Sequence, residues 1–175
     1  MNSDAVHRAA RVRFMAFDVD GIMTDGRLYM TQSGDEMKAF HTLDGQGIKL
    51  LKESGIEVAL LTARNSAIVA RRADELGIGM LRQGVSDKLA ALAELLDDCK
   101  LSIDDAGYAG DDLVDLPVLR RCVFSASVPN AAEAVRSRVH YVTHVAAGNG
   151  AVRELCEFIL QAQGKLDTAI ARYVD

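Results

Sequence analysis

The sequence predicts an α/β protein with a doubly wound, mainly parallel β-sheet. Six short apolar runs have the composition of strands, and most do not alternate polar with apolar residues, which indicates burial on both faces. These runs are 12–17, 58–61, 79–81, 106–109, 123–126 and 139–142. Helical patterns separate them, and this alternation of strand and helix favours parallel strands covered by helices.

Three of the helical segments are well marked. Residues 45–54 place apolar side chains at helical spacing and end at Gly55. Residues 65–76 begin with a capping residue and end at Gly77, and residues 86–99 repeat leucines on one helical face. These helices follow the first, second and third strands or their connections, as a doubly wound fold requires.

The segment after the first strand interrupts this alternation. Residues 27–31 and 36–41 have strand character, and the Gln-Ser-Gly-Asp sequence between them is a turn signal, so we expect a β-hairpin. The hairpin follows the carboxyl end of a strand, where α/β proteins bind ligands. We expect a single domain over residues 1–175, with a hairpin flap at about 26–42, a C-terminal tail at about 165–175 and no separate cap domain.

Composition excludes several classes of function. The net charge of −5 argues against nonspecific binding to nucleic acid or to an anionic membrane surface. No apolar run approaches the roughly 18 residues that span a bilayer, and the first residues do not resemble a signal peptide. The three cysteines are far apart and odd in number, which is typical of reduced, buried thiols. A cytoplasmic protein is therefore expected.

Polar residues follow four of the predicted strands. They are Asp18 and Asp20 after the first strand, Thr62 and Arg64 after the second, Lys88 after the third, and Asp111, Asp112 and Asp115 after the fourth. Because the carboxyl ends of parallel strands meet at one edge of the sheet, these side chains are expected to converge there.

The residue types suit phosphoryl transfer. Clustered carboxylates raise one another's pKa unless a cation relieves them, and oxygen ligands of this kind suit Mg²⁺. Asp18 is a candidate nucleophile toward phosphorus, and Asp20, two residues on, faces the same way in an extended chain and can move protons. Thr62 and Lys88 are candidate donors to the phosphoryl oxygens.

Each residue also has an ordinary structural interpretation when taken alone. Asp-X-Asp often forms a cap or turn, Lys88 suits a solvated first turn, and acids after a strand favour a helix N-terminus. Their agreement at four strand ends favours a site. Phospho-accepting signalling domains also gather acids, a hydroxyl and a lysine around Mg²⁺, but they lack an acid two residues past the nucleophile, so Asp20 favours an enzyme.

The motifs DVDGIMTD, LLTAR, Lys88 and GDDLVD resemble the four motifs of the haloacid dehalogenase (HAD) superfamily. The resemblance implies that Asp18 forms an aspartyl phosphate and that Asp20 is the general acid and base. It implies Mg²⁺ bound by Asp18, the backbone carbonyl of Asp20 and Asp111. It also implies that Thr62 and Lys88 bind the phosphoryl group, with Asp112 and Asp115 in support.

Over about residues 13–166 the chain resembles the 3-deoxy-D-manno-octulosonate 8-phosphate (KDO 8-phosphate) phosphatase family. DVDGIMTDGRLY, FHTLDGQGIK and AAGNGAVRELCEFILQAQGKL carry this resemblance. It implies a phosphorylated sugar acid as substrate, a place in lipopolysaccharide synthesis, and a homotetramer assembled through the hairpins. A related substrate, such as N-acylneuraminate 9-phosphate, stays open as an alternative.

Two departures from the family pattern are Ala63, where glycine is common, and residues 147–150, where adjacent glycines are often found. The implied substrate carries a carboxylate, and Arg64 is a candidate to pair with it bidentately, with an exposed arginine at a helix start as the alternative. Gly45 and Gly47, after the flap, are further candidates for substrate contact.

Overall fold

A computed structural model describes residues 3–174, so residues 1, 2 and 175 of the predicted domain lie outside the described range. It contains a six-stranded parallel sheet in the order β5-β4-β1-β6-β7-β8. The strands are β1 (Phe14–Phe17), β4 (Glu57–Leu61), β5 (Met80–Arg82), β6 (Ala106–Ala109), β7 (Phe124–Ser127) and β8 (Tyr141–Val142). The predicted doubly wound parallel fold is confirmed.

The hairpin forms a separate two-stranded antiparallel sheet, β2 (Tyr29–Met30) and β3 (Glu36–Met37). Its paired strands are shorter than the predicted runs at 27–31 and 36–41, because pairing continues for only two residues on each side of the turn. The turn is closed by the backbone N–H of Thr31, which donates to the carbonyl of Asp35 at 2.9 Å. We refer to this hairpin as the flap.

Helices cover both faces of the sheet. They are α1 (Ser3–Ala9), α2 (Thr42–Glu53), α3 (Ala67–Glu75), α4 (Lys88–Asp98), α5 (Leu116–Leu119), α6 (Glu133–Arg136), α7 (Ala151–Ala162) and α8 (Leu166–Ala171). Strand β1 supplies both cores, since Met15 and Phe17 pack with α2 and α7 whereas Phe14 and Ala16 pack with α4 and α5. This alternation follows from the two-residue period of a strand and explains why β1 is apolar throughout.

The connection order places a functional edge at the end of β1. From β1 the chain runs to β4 and β5 on one side, then crosses to β6, β7 and β8 on the other. The carboxyl end of β1 is therefore the topological switch point of the sheet, where ligands bind in open α/β folds.

Helix α2 begins earlier than the sequence indicated. Its N-cap is His41, whose Nδ1 accepts from the backbone N–H of Leu43 at 3.3 Å. Asp44 lies in the first turn, and its buried carboxylate accepts from the backbone N–H of Arg153 at 2.8 Å, so it caps the start of α7 instead of α2. Within residues 3–174, no helix combines the length and apolar character needed to cross a membrane.

Candidate active site

Asp18 directly continues β1. Its backbone N–H donates to the carbonyl of Ala109 on β6 at 2.9 Å, so the sheet ladder fixes the position of the residue. Its side chain is largely buried: Oδ1 accepts from the backbone N–H of Val19 at 2.7 Å, and Oδ2 lies 3.0 Å from Nζ of Lys88. A carboxylate held this way has a fixed orientation at the sheet edge.

Lys88 is the first residue of α4, and its ammonium lies between two carboxylates. Nζ is 3.0 Å from Asp18 and donates to Oδ1 of Asp115 at 2.7 Å. Burial opposes the charge of Lys88, but the two carboxylates outweigh burial and its pKa is raised. The lysine is therefore charged and fixed beside Asp18.

Asp115 has no exposed surface and supports the surrounding loop. Besides Lys88, it accepts from the Tyr108 hydroxyl at 2.7 Å and from the backbone N–H groups of Asp111 and Asp112 at 3.1 and 3.2 Å. Each of its two oxygens thus accepts two hydrogen bonds. Asp112 is exposed and caps the short 3₁₀ turn Leu113–Asp115, where its Oδ1 accepts from the N–H of Leu113 at 2.7 Å.

Asp18, Asp111 and Asp115 each place one carboxylate oxygen within 4.8 Å of the others. Since both carboxylate oxygens of Asp115 already accept hydrogen bonds, Asp18 and Asp111 are the carboxylates best placed to bind a cation. Gly21 makes room for this cluster, because a Cβ there would lie 2.0 Å from Oδ2 of Asp111. The backbone of Gly21 is also left-handed, with φ +88°, which glycine adopts without strain.

The pKa values of these acids show that negative charge is crowded. Burial, followed by the charge of Asp115, raises the pKa of Asp18 to about 6, although Lys88 opposes the shift. Burial, followed by the charges of Asp18 and Asp115, raises the pKa of Asp111 to about 7. A bound divalent cation would offset the negative charge of these carboxylates and favour their ionised forms, so the donor set fits a hard metal ion.

Asp20 contacts the flap. Its Oδ1 accepts a hydrogen bond from Nζ of Lys38, whose side chain is only 1% exposed. Its Oδ2 is buried and accepts no hydrogen bond from any residue in 3–174; Nε of Arg64 lies 3.7 Å away. Asp20 is thus held at one oxygen and leaves the other available.

Glu36, also on the flap, lies against the loop that follows β4. Its Oε1 accepts from Nη2 of Arg64 at 2.9 Å and lies 3.3 Å from Nζ of Lys38, while its Oε2 accepts from the Ser66 hydroxyl at 2.8 Å. These hydrogen bonds, that from Ser66 first, lower the pKa of Glu36. Sequence reasoning missed Glu36, Lys38 and Ser66.

Thr62 lies at the end of β4 and is buried. Its backbone N–H donates to the carbonyl of Arg82 at 3.0 Å, and its hydroxyl oxygen accepts from the N–H of Arg64 at 3.3 Å. Because the hydroxyl oxygen acts as an acceptor, its proton is available to a ligand.

Gly45 and Gly47 lie within α2 and are buried. A Cβ at Gly45 would lie 2.6 Å from Nη2 of Arg72, and one at Gly47 would lie 3.0 Å from Cα of Arg153. Both glycines allow helices to approach closely, and substrate contact at either position stays a prediction.

No family model matches the chain. It is 43% identical over 169 residues to the 3-deoxy-D-manno-octulosonate 8-phosphate phosphatase KdsC of Escherichia coli K12, covering 97% of this chain and 90% of that protein. The structure of 3-deoxy-D-manno-octulosonate 8-phosphate phosphatase from Moraxella catarrhalis, solved with magnesium ion, phosphate ion and KDO, matches with TM-score 0.95 and 45% identity over 99% of both chains. A probable YrbI family phosphatase from Pseudomonas syringae matches with TM-score 0.96 and 48% identity over 98% of both chains.

Proposed function

The chain belongs to the KDO 8-phosphate phosphatase family of the HAD superfamily, and we propose that it hydrolyses KDO 8-phosphate to the free sugar acid and phosphate. The observation that carries the proposal is the buried Asp18 carboxylate, held 3.0 Å from Lys88 and grouped with Asp111 at the switch point of the sheet. A fixed carboxylate beside a fixed ammonium and a cation site is the arrangement that nucleophilic attack on phosphorus needs.

Mg²⁺ is the metal that suits this site. Asp18 and Asp111 offer hard oxygen ligands whose pKa values are raised by burial and by neighbouring acids, and the Moraxella catarrhalis relative was solved with magnesium. We assign Asp18, Asp111 and the backbone carbonyl of Asp20 as its protein ligands. When bound, the ion offsets the negative charge of the carboxylate and phosphoryl oxygens.

The reaction uses Asp18 and Asp20 in distinct roles. An oxygen of Asp18 attacks phosphorus and forms an aspartyl phosphate, while the bond from phosphorus to the sugar oxygen breaks and Asp20 gives its proton to that oxygen. Water then attacks phosphorus, Asp20 accepts the proton, and cleavage of the acyl phosphate regenerates Asp18. Lys88 and the Thr62 hydroxyl donate to the phosphoryl oxygens during both steps.

The flap supports a homotetramer. Leu28, Met30 and Met37 are 52%, 66% and 57% exposed, and an isolated two-stranded hairpin is marginally stable in water. We propose that flaps from different subunits pack together and that the enzyme acts in the cytoplasm. Light scattering should give four chains per particle, and replacing Met30 and Met37 with serine should lower that number; a wild-type monomer with full activity would contradict the assembly.

Turnover of a panel of phosphate esters tests the substrate. We expect kcat/KM for KDO 8-phosphate to exceed that for N-acylneuraminate 9-phosphate by about tenfold or more, because the loss of a few hydrogen bonds between pocket and substrate lowers kcat/KM by that factor.

Chelation should stop turnover and Mg²⁺ should restore it. Asp18→Asn should abolish hydrolysis with the fold retained, and appreciable turnover by this variant would reject the assignment of the nucleophile.

A further inference from the structure

Three donors surround the carboxylate of Glu36. The guanidinium of Arg64 donates to Oε1 at 2.9 Å, the ammonium of Lys38 lies 3.3 Å from the same oxygen, and the hydroxyl of Ser66 donates to Oε2 at 2.8 Å. Both oxygens are thus bound, one by two cations and the other by a neutral donor. This arrangement is a carboxylate-binding site, filled by a side chain of the chain itself.

Two of these donors are fixed to the core of the enzyme. Ser66 precedes α3, but its hydroxyl does not cap that helix; its backbone N–H donates to Oε1 of Gln83 at 2.7 Å, which fixes its position. The backbone N–H of Arg64 donates to the Thr62 hydroxyl at 3.3 Å. The guanidinium therefore extends from the proposed phosphoryl site, and its Nε lies 3.7 Å from Asp20.

Glu36 is the member of the group that lies on the flap. It lies on the two-residue strand β3, and the flap is joined to the sheet by no backbone ladder among residues 3–174. Lys38 is independently held by Asp20, so it can stay in place when the Glu36 side chain turns away. Rotation of the Glu36 side chain, which is 20% exposed, would therefore empty the site with its three donors intact.

We propose that Arg64, Ser66 and Lys38 form the binding site for the carboxylate of the substrate, and that Glu36 occupies this site until a sugar acid displaces it. The proposal rests on the function proposed above, because it requires a substrate that carries a carboxylate. The substrate carboxylate needs the same three donors and would be repelled by Glu36, so Glu36 leaves as the acid binds. Phosphate esters without a carboxylate leave Glu36 in place and gain nothing from these donors.

Glu36→Gln tests the displacement, because glutamine keeps the shape of the side chain but pairs weakly with Arg64. We expect KM for KDO 8-phosphate to fall about fivefold with kcat little changed. A change of about fivefold corresponds to the interaction energy of one partly exposed ion pair, here that of Glu36 with Arg64. The kcat/KM for phenyl phosphate, which has no carboxylate, should not change.

Asp35→Asn is the matched control. It removes one carboxylate from the same flap, but the Asp35 carboxylate contacts the hydroxyls of Ser33 and Thr31 and not Arg64. This control should leave both substrates unchanged. The proposal is overturned if Glu36→Gln raises KM for KDO 8-phosphate, leaves it unchanged, or improves both substrates equally.

Inhibition of phenyl phosphate hydrolysis by the free sugar acid separates this proposal from the proposed function. The inhibition constant should fall about fivefold in Glu36→Gln, whichever sugar phosphate the enzyme turns over. A wild-type enzyme that hydrolyses phenyl phosphate but not KDO 8-phosphate contradicts the proposed function alone. An inhibition constant that does not respond to Glu36→Gln contradicts the displacement, even when KDO 8-phosphate is the preferred substrate.

Discussion

Replacing Asp111 with asparagine should stabilise the metal-free protein while it removes activity. Asp111 is one of three carboxylates within 4.8 Å of one another, and only Lys88 supplies a positive charge directly to this group among the described residues. Burial and the neighbouring acids raise its pKa to about 7, so its ionised form is unfavourable in the folded state. An uncharged residue of the same shape relieves that repulsion.

The raised pKa sets the size of the effect. The ordinary pKa of the group is 3.8, so the folded state disfavours ionisation by about 3 pKa units. At about 1.4 kcal/mol per unit, the penalty approaches 4 kcal/mol near pH 8, and part of it is shared with Asp18. We therefore expect Asp111→Asn to raise the free energy of unfolding by roughly 2–4 kcal/mol in chelator at about pH 8.

The gain should depend on pH in one direction. Because the folded-state pKa lies above the unfolded one, the stabilising effect of protonating Asp111 is present below about pH 4 and is lost as pH rises through about 7. Wild type should therefore lose stability over that interval relative to the variant, and the two should converge toward about pH 4.

Urea denaturation in EDTA at about pH 4.5, 6 and 8 measures this difference. Asp112→Asn is the control, since it removes an adjacent but exposed carboxylate and should change stability by less than about 1 kcal/mol. Added Mg²⁺ should stabilise wild type more than Asp111→Asn. The reasoning is refuted if Asp111→Asn is less stable than wild type near pH 8, or if its advantage is the same at every pH.

Three further substitutions test the supporting structure. Asp115→Ala should cost about 3–5 kcal/mol in urea unfolding, because it leaves Lys88, Tyr108 and two backbone N–H groups without their buried acceptor; a loss below about 1 kcal/mol would contradict this. Asp44→Ala should lower the free energy of unfolding by about 1–2 kcal/mol in thermal unfolding, because it removes the cap on α7. Asp44→Asn should keep most of that stability, because its amide oxygen still accepts from the N–H of Arg153. Equal losses in the two variants would show that the charge of Asp44 matters and its capping does not. Gly21→Ala should weaken Mg²⁺ binding, measured by calorimetry, by about tenfold or more, because its Cβ would displace the Asp111 carboxylate; unchanged affinity would contradict the role of this glycine.

The fold was predictable because its signals are local. Unbroken apolar runs such as 58–61 in β4 and 106–109 in β6 mark strands buried on both faces, and the intervening helices impose a parallel sheet. Once the sheet is parallel, residues that follow its strands must meet at one edge. Four side chains that are up to 97 positions apart in the sequence therefore lie close together in the structure: Asp18, Lys88, Asp111 and Asp115.

The missed residues depend on long-range packing. Glu36 and Lys38 are two positions apart, so a strand must place them on one face, but the face that docks on Asp20 and Arg64 is decided by the docking of the whole flap. The role of Asp44 depends on such packing too, because its carboxylate accepts from the backbone N–H of Arg153 on a different helix. The partner across such a contact leaves no periodic signal in the chain.

At the sheet edge, the carboxylates of the metal-free chain carry more negative charge than the nearby cation compensates. Asp18, Asp111 and Asp115 share the single ammonium of Lys88, which leaves two negative charges uncompensated where a phosphate dianion has to bind. The other cations nearby are already engaged, since Lys38 pairs with Asp20 and Glu36, and Arg64 with Glu36. In the binding mode proposed above, phosphate therefore approaches Asp18 together with a cation, and the sugar carboxylate recruits Arg64 by replacing Glu36. The two ends of the substrate thus meet different requirements, a metal at one end and an exchange of acids at the other, and a ligand that satisfies both binds best.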